Sequence, residues 1–436
     1  VTEQAVSSAH APTADEPTET YLVKGGRLVR RIRFRDGTFS ETALGTAPDG
    51  DSDLAAAGEA RIMRATTPPR SRRGRTVTAV DLFCGAGALS AGFLEAARAL
   101  GVKGRLALAA DNADDALKVY QASLPCDRGA PRRVDLAAVL DGDLGAAPTD
   151  AERAFLNDVP ESIDVCLAGP PCQGHSSLNN HTRHDDERND LYLRVVRFVE
   201  LRQPRYCFIE NVRSVKRDQR RSVELAIEHL EHLGYAVDDG IVKLKEIGVP
   251  QTRSRHVVVA SAPGEHPVDL RQAVARHTVQ AARTVRWAIG DLLDVEPKGF
   301  DAASAPSAEN AERMAWLHRT DSADLPNPLR PACHRESKRD KNGLLKEHTY
   351  KSMYGRLSWD EPAQTITSGY GSMGQGRYVH PERPRTITPH EAARLQLFPD
   401  YFDFSPVRKR GSWAKMIGNA APMKLSYVLV LEALRW

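Results

Sequence analysis

With 436 residues, 41% hydrophobic and 27% charged, the chain has the composition of a globular protein with room for two cores and an appendage. No apolar run approaches the roughly 18 residues needed to cross a bilayer, and no basic-then-apolar leader opens the sequence, so a cytoplasmic protein with no membrane attachment is expected. The net charge of +3 says little by itself, and Cys84, Cys126, Cys166, Cys172, Cys207 and Cys333 form no Cys-x-x-Cys pair, which favours reduced thiols over disulfides or a zinc site.

Residues 1–20 and 45–75 are rich in Ala, Pro, Thr, Asp and Arg and are expected to be poorly ordered. Between them, 21–35 reads as short strands joined at Gly25-Gly26 and near Asp36-Gly37. A strand–helix alternation begins at Thr76: a strand over 76–83, a Gly bend, a helix over about 88–100, a strand over 106–110 and a helix through Val119 and Tyr120. It continues with a weak strand near Val134, a strand ending at Gly169, a helix over 190–202 and a strand over 206–210. A helix over 219–233 and strands near 241–247 and 256–261 complete it. Such alternation predicts an α/β fold built on a doubly wound, mostly parallel sheet. After Pro263 the pattern breaks, and 264–380 reads as an inserted or second, smaller domain. A helix over 389–397 and an apolar helix after Pro422 are expected to return to the first domain. The expected partition is 1–75, 76–263, 264–380 and 381–436.

The run Pro170-Pro171-Cys172-Gln173 follows an apolar strand, and its prolines stiffen the backbone just before the thiol. A loop at the carboxyl end of a strand in an α/β sheet is a favoured place for chemistry, which makes Cys172 the candidate nucleophile. Asp81-Leu82-Phe83-Cys84-Gly85-Ala86-Gly87 carries a strand through a Gly bend into a helix whose N-terminus offers a positive dipole end. It fits neither a dinucleotide fingerprint nor a P-loop, and a nucleoside-like ligand is compatible with it. Asp111 ends the next strand, where it can accept from ribose hydroxyls or cap a helix. Glu210 ends a strand beside the cysteine loop and can protonate a substrate or act as a strand-end cap. In Gln251-Thr252-Arg253-Ser254-Arg255 the alternating arginines can converge on one anionic or carbonyl ligand, or remain solvated edge charges. Basic stretches at 61–75 and 330–356 can attract a phosphate backbone or form solvated faces.

Taken in order, 81–87, 170–173, 210–212, 251–255, 385–396 and 418–420 resemble the hallmark motifs of the C5-cytosine DNA methyltransferases, a resemblance covering roughly 76–263 and 380–436. His175, His390 and Ala421-Pro422 depart from the usual Phe, Arg and Val-Pro, and none removes a group the chemistry needs. The resemblance implies a Rossmann-like methyltransferase sheet, a target-recognition domain over 264–380, S-adenosylmethionine as cofactor and no metal. Its substrate would be double-stranded DNA, with the protein a monomer and a restriction endonuclease or defence proteins as possible partners. It implies Cys172 as the thiolate, Glu210 at cytosine N3, and Arg255 with Arg253 on the O2 side. Phe83 would stack on the adenine, Gly85 and Gly87 admit the methionine part, Asp111 hold the ribose and Asp135 meet the adenine amino group. Leu191 would line that pocket, Asn419 lie beneath the cofactor, and Gln173 and Ser176 contact the opened duplex. The rivals are a tRNA cytosine-5 methyltransferase of the same fold and a non-catalytic DNA-binding homologue, the latter at odds with the presence of both Cys172 and Glu210. A nicotinamide oxidoreductase leaves Cys172, Glu210 and the arginines without a role.

Overall fold

The computed structural model describes residues 19–50, 52–69, 74–127, 129–171, 191–217, 221–335, 343 and 353–435. Strands β1 (Glu19–Lys24), β2 (Arg27–Arg33) and β3 (Phe39–Thr46) form an antiparallel sheet in sequential order. The main sheet contains β4 (Thr76–Leu82), β5 (Lys103–Asp111), β6 (Arg132–Arg133), β7 (Val165–Ala168), β8 (Tyr206–Val212), β9 (Ala236–Lys243) and β10 (Ser254–Ser261). Its order is β6-β5-β4-β7-β8-β10-β9, parallel throughout except that β10 runs antiparallel to both neighbours.

Apolar side chains on both faces make this a covered sheet. In β7, Val165 and Leu167 join one core cluster while Cys166 and Ala168 join the other; Phe208 and Ile209 of β8 divide in the same way. On the first face the apolar helix Met423–Leu434 packs against Ala88–Leu100 at very short range. A Cβ on Gly92 would lie 2.1 Å from the Met423 carbonyl, and Ser426 Oγ donates to Leu89 O at 2.7 Å.

Topology then places the site. The chain runs outward from β4 through β5 and β6, then returns to β7 on the other side of β4, so a switch point lies between β4 and β7. The carboxyl ends of β4, β5, β7 and β8 share one edge. Because β10 is antiparallel, its amino end, carrying Ser254 and Arg255, joins that edge too.

Three expectations need correction. The stretch 45–75 is not uniformly unstructured, because Leu54–Met63 is a helix capped by the Asp53 carboxylate on Ala56 N at 2.9 Å. Its alanines are strong helix formers, which the composition of the whole stretch concealed. The strand expected at 241–247 lies earlier, at Ala236–Lys243, and 244–247 forms a 3₁₀ turn. Residue 264 is also not where the core divides. Leu270, Val285, Ile289 and Ile366 belong to the main cluster, while a separate small cluster gathers Met314, Leu317, Leu325, Tyr354, Met373 and Val379. Among the described residues Cys84, Cys126, Cys166 and Cys207 are free thiols, and no helix is long and apolar enough to cross a membrane.

Candidate active site

The loop after β4 is held open by the residue that ends β5. Phe83 and Gly85 both adopt positive φ, 57° and 52°. Cys84 N donates to Ala110 O at 3.1 Å, and Gly85 N donates to Asp111 Oδ2 at 2.9 Å. The other Asp111 oxygen accepts from Ala113 N at 2.8 Å. Each carboxylate oxygen retains acceptor capacity, so local turn capping and hydroxyl binding are compatible at Asp111. A Cβ on Gly85 would meet nothing within 4 Å, which leaves a clear approach to the backbone from outside. Gly87 differs: a Cβ there would lie 2.5 Å from Leu124 Cδ1 and 2.7 Å from Tyr120 Cδ2, so its glycine is demanded by packing behind the loop.

Asp135 is exposed beyond β6, with one oxygen capping Ala137 N at 3.0 Å. Leu191 begins the helix Leu191–Arg202, half-buried, and Asn419 is exposed at the end of Arg410–Asn419.

Beneath the loop lies a group that motif reading did not single out. Asp81 is fully buried, accepts from Ser90 Oγ at 2.6 Å, and Ser90 in turn shares a 2.8 Å hydrogen bond with the Tyr120 hydroxyl. Burial, with the Asp111 carboxylate adding to it, pushes the Asp81 pKa up to about 7. β4 is buried on both faces from Val77 to Leu82, and a carboxylate inside such a strand was the available signal.

On the β7–β8 side, Glu210 Oε1 lies 2.5 Å from Arg255 Nε, and both side chains are only 12% exposed. The register explains the meeting. Glu210 pairs with Val257, so Arg255, two residues nearer the edge of β10, projects from the same face. The second Glu210 oxygen faces the end of β7, 3.8 Å from the position of a Cβ on Gly169. Asn211 Nδ2 donates to Pro170 O at 3.4 Å, tying the end of β8 to the segment that leads into the cysteine loop. Cys172, Gln173 and Ser176 lie outside the described residues, which resume at Leu191.

Arg253 does not share the site with Arg255. It is buried, and its guanidinium donates to the carbonyls of Ile366 at 2.8 Å, Gly418 at 3.2 Å and Ala420 at 3.0 Å. Alternation along the strand does not settle its environment, because Arg253 precedes β10 and turns into the interior. Gln251 works beside it, donating to Leu395 O at 2.7 Å and accepting from Ile366 N at 2.8 Å. Gln396 Nε2 completes the latch on Ile417 O at 2.6 Å. Arg253 is therefore a positioning residue for the 418–420 turn. Arg253→Met should leave three buried acceptors short of a donor and lower stability by about 2–4 kcal/mol, read as a lower urea midpoint.

The late motif is also architectural. Thr388 and Glu391 form a capping box on the helix Pro389–Leu395, and Arg385 grips Glu391 at 2.7 and 2.8 Å. His390 sits between Asp301 at 2.7 Å and Asp400 at 3.1 Å. Burial alone would lower its pKa, but the two carboxylates overcome this and hold it up at about 9, against an ordinary 6.5. It is thus a cation at neutral pH, the charge an arginine would supply. Its raised folded-state pKa contributes stability that is complete below pH 6.5 and lost as pH rises through about 9, about 3 kcal/mol in all. His390→Gln should flatten that alkaline slope in denaturation measured between pH 6 and 10.

The family model for C-5 cytosine-specific DNA methylase matches residues 77–434. The type II methyltransferase M1.BsuMI of Bacillus subtilis (strain 168) is 40% identical over 426 residues, covering 97% of this chain and 96% of its own. The type II methylase M.HgiDII of Herpetosiphon aurantiacus is 29% identical over 369 residues, covering 82% of this chain and 95% of its own. The S. pombe Dnmt2 methyltransferase crystal structure shares the fold at a TM-score of 0.56 with 17% identity, covering 83% of this chain and 100% of that one. Motif order, the sheet edge that gathers Phe83, Asp111, Glu210 and Arg255, and these matches agree: the chain belongs to the C-5 cytosine-specific DNA methylase family and is a DNA (cytosine-5)-methyltransferase.

Proposed function

We propose that the protein methylates C5 of a cytosine flipped out of a specific duplex DNA sequence, with Cys172 as the nucleophile that adds to C6. The observation that carries this reading is the Glu210–Arg255 pair at 2.5 Å, half-sunk at the sheet edge beside Gly169, three residues before that cysteine. As the Sγ–C6 bond forms, the C5–C6 π pair moves to C5, and covalent addition makes a poor carbon nucleophile competent. Glu210 holds or protonates N3, and Arg255 stabilises negative charge developing on the O2 side. After C5 has taken the methyl group, loss of its proton returns an electron pair to the ring and expels Sγ. The base for that proton is water or a group beyond those named.

The cradle fits S-adenosylmethionine, which when bound supplies an electrophilic methyl group on sulfur. Gly85 leaves its approach clear, and Asp111 keeps acceptor capacity for ribose hydroxyls. Phe83 offers its half-buried ring to the adenine, Asp135 its second oxygen to the amino group, Leu191 an apolar wall, and Asn419 lies at the far side. Gly87 shapes the turn, and Gln173 and Ser176 contact the opened duplex.

Flipping costs a few kcal/mol, which phosphate contacts from the basic stretch 330–356 offset. Base-edge contacts from 264–380 choose the sequence. Among the described residues of that stretch, Arg330 is buried with its Nε on Leu325 O at 3.0 Å, Arg335 Nε donates to Arg330 O at 2.8 Å and Arg356 pairs with Asp321 at 2.5 Å. The proposed phosphate contacts therefore fall to Lys338, Arg339, Lys341, Lys346 and Lys351, outside the described residues. The names of the bacterial relatives support a place in a type II restriction–modification system with a cognate endonuclease. Bisulfite sequencing of DNA from expressing cells should show protected cytosines at one recurring sequence. Labelled methyl transfer to tRNA with none to DNA would replace this reading with the RNA one.

A further inference from the structure

The family match begins at residue 77, yet the amino-terminal unit is wired into both elements that flank the methyl-donor site. We propose that β1–β3 and the helix Leu54–Met63 form a brace that sets the spacing between the 83–87 loop and the 418–420 turn, with Glu59 as its central positioning residue. The inference rests on the reading of that loop and turn as the methyl-donor site.

Five contacts carry it. Glu59, on the Leu54–Met63 helix, is nearly buried and takes Lys424 Nζ on one oxygen and Arg283 Nε on the other, both at 2.7 Å. Lys424 is the second residue of Met423–Leu434, the helix that leaves the 418–420 turn. Arg30 of β2, fully buried, pairs with Glu95 at 2.8 Å on Ala88–Leu100, the helix that begins at the 83–87 loop. At the lower end of the brace, Arg64 pairs with Asp291 at 3.1 Å and Met63 O accepts from Asp400 N at 2.9 Å. Asp291 and Asp400 both hold Arg394, two residues before the Gln396 that grips the turn.

A passenger segment would touch the enzyme through solvated side chains and could shift freely. Here the Arg30–Glu95 pair and the Glu59 pairs with Arg283 and Lys424 lie inside the interface, where each charge needs its particular partner and a small displacement orphans a buried ion. The two braced helices meet at Gly92 with no space for a Cβ, so movement of one is passed to the other. The unit therefore acts on cofactor affinity and leaves the Glu210–Arg255 side alone.

Glu59→Gln removes the charge and keeps the shape. Calorimetric titration of the full-length protein with S-adenosylhomocysteine should show affinity weakened about 2- to 30-fold, with duplex affinity unchanged. Lys424→Met should reproduce the loss and Lys424→Arg should restore affinity. Wild-type cofactor affinity in both Glu59→Gln and Lys424→Met overturns the brace. So does a parallel weakening of cofactor and DNA binding that follows a fall in melting temperature, since that is general destabilisation. If Phe83→Ala binds cofactor as well as the wild type does, the reading of the site itself fails, and the brace with it.

Discussion

Cys172→Ala is expected to lower methyl transfer to duplex DNA by at least about ten-thousand-fold, while S-adenosylhomocysteine binding stays within about twofold of wild type. The asymmetry follows from the sheet edge. The proposed donor side is built from the ends of β4 and β5, where Gly85 and Asp111 bond to each other. The proposed acceptor side is built from the ends of β7 and β8 and the start of β10. The hydrogen bonds described on the proposed donor side are made by Cys84, Gly85, Ala110, Asp111 and Ala113. Cys172→Ala removes the only group proposed to raise electron density at C5, and a neutral cytosine cannot attack a methyl group at a useful rate without that addition. Rapid-quench assays with labelled methyl donor, alongside calorimetry, separate the two halves. Loss of binding together with loss of transfer would mean that the two sides are not independent.

Glu210→Gln is the second large effect, expected at about a hundred- to ten-thousand-fold in kcat with a small change in DNA affinity. Glutamine keeps the side-chain length and an oxygen to accept from Arg255 Nε, so the 2.5 Å contact has a neutral substitute and the strand end keeps its shape. What it lacks is a carboxyl group that can exchange a proton with N3 as Sγ attacks C6. Glu210→Ala should do worse, because it also leaves the nearly buried Arg255 without its carboxylate. A kcat for Glu210→Gln within threefold of wild type would remove the acid from the chemistry and reduce Glu210 to an anchor for Arg255.

The central strands of the sheet were legible in the sequence because strands covered on both faces are short apolar runs, as β7 and β8 show, whereas the half-exposed edge strand β9 was placed too late. Glu210 and Arg255 meet at one edge because Glu210 lies near the carboxyl end of β8 while Arg255 lies near the amino end of the antiparallel β10, a strand direction that motif order does not reveal. Arg253 was misread for a physical reason. Arg253 and Arg255 stand two positions apart, a spacing that puts both on one face of an extended chain, but Arg253 precedes β10, where that alternation no longer holds, and it turns to buried carbonyls instead. The helix Leu54–Met63 was hidden by the Pro- and Arg-rich residues around it, and the brace it belongs to depends on partners at Arg283 and Lys424, more than two hundred residues away. Gly87 illustrates the same limit. Its sequence context suggested a ligand, whereas Tyr120 and Leu124, brought in by the next helix, are what exclude a side chain there.

The central claim is that a sulfur adds to the pyrimidine ring before the methyl group arrives. Duplex DNA carrying 5-fluorocytosine at the methylated position tests it, because fluorine cannot leave as a proton does and the ring cannot release the thiol. An adduct that survives denaturing gels, requires the methyl donor and is absent from Cys172→Ala is the predicted result. Full methylation of ordinary DNA by protein that leaves no adduct on the fluorinated duplex would contradict it.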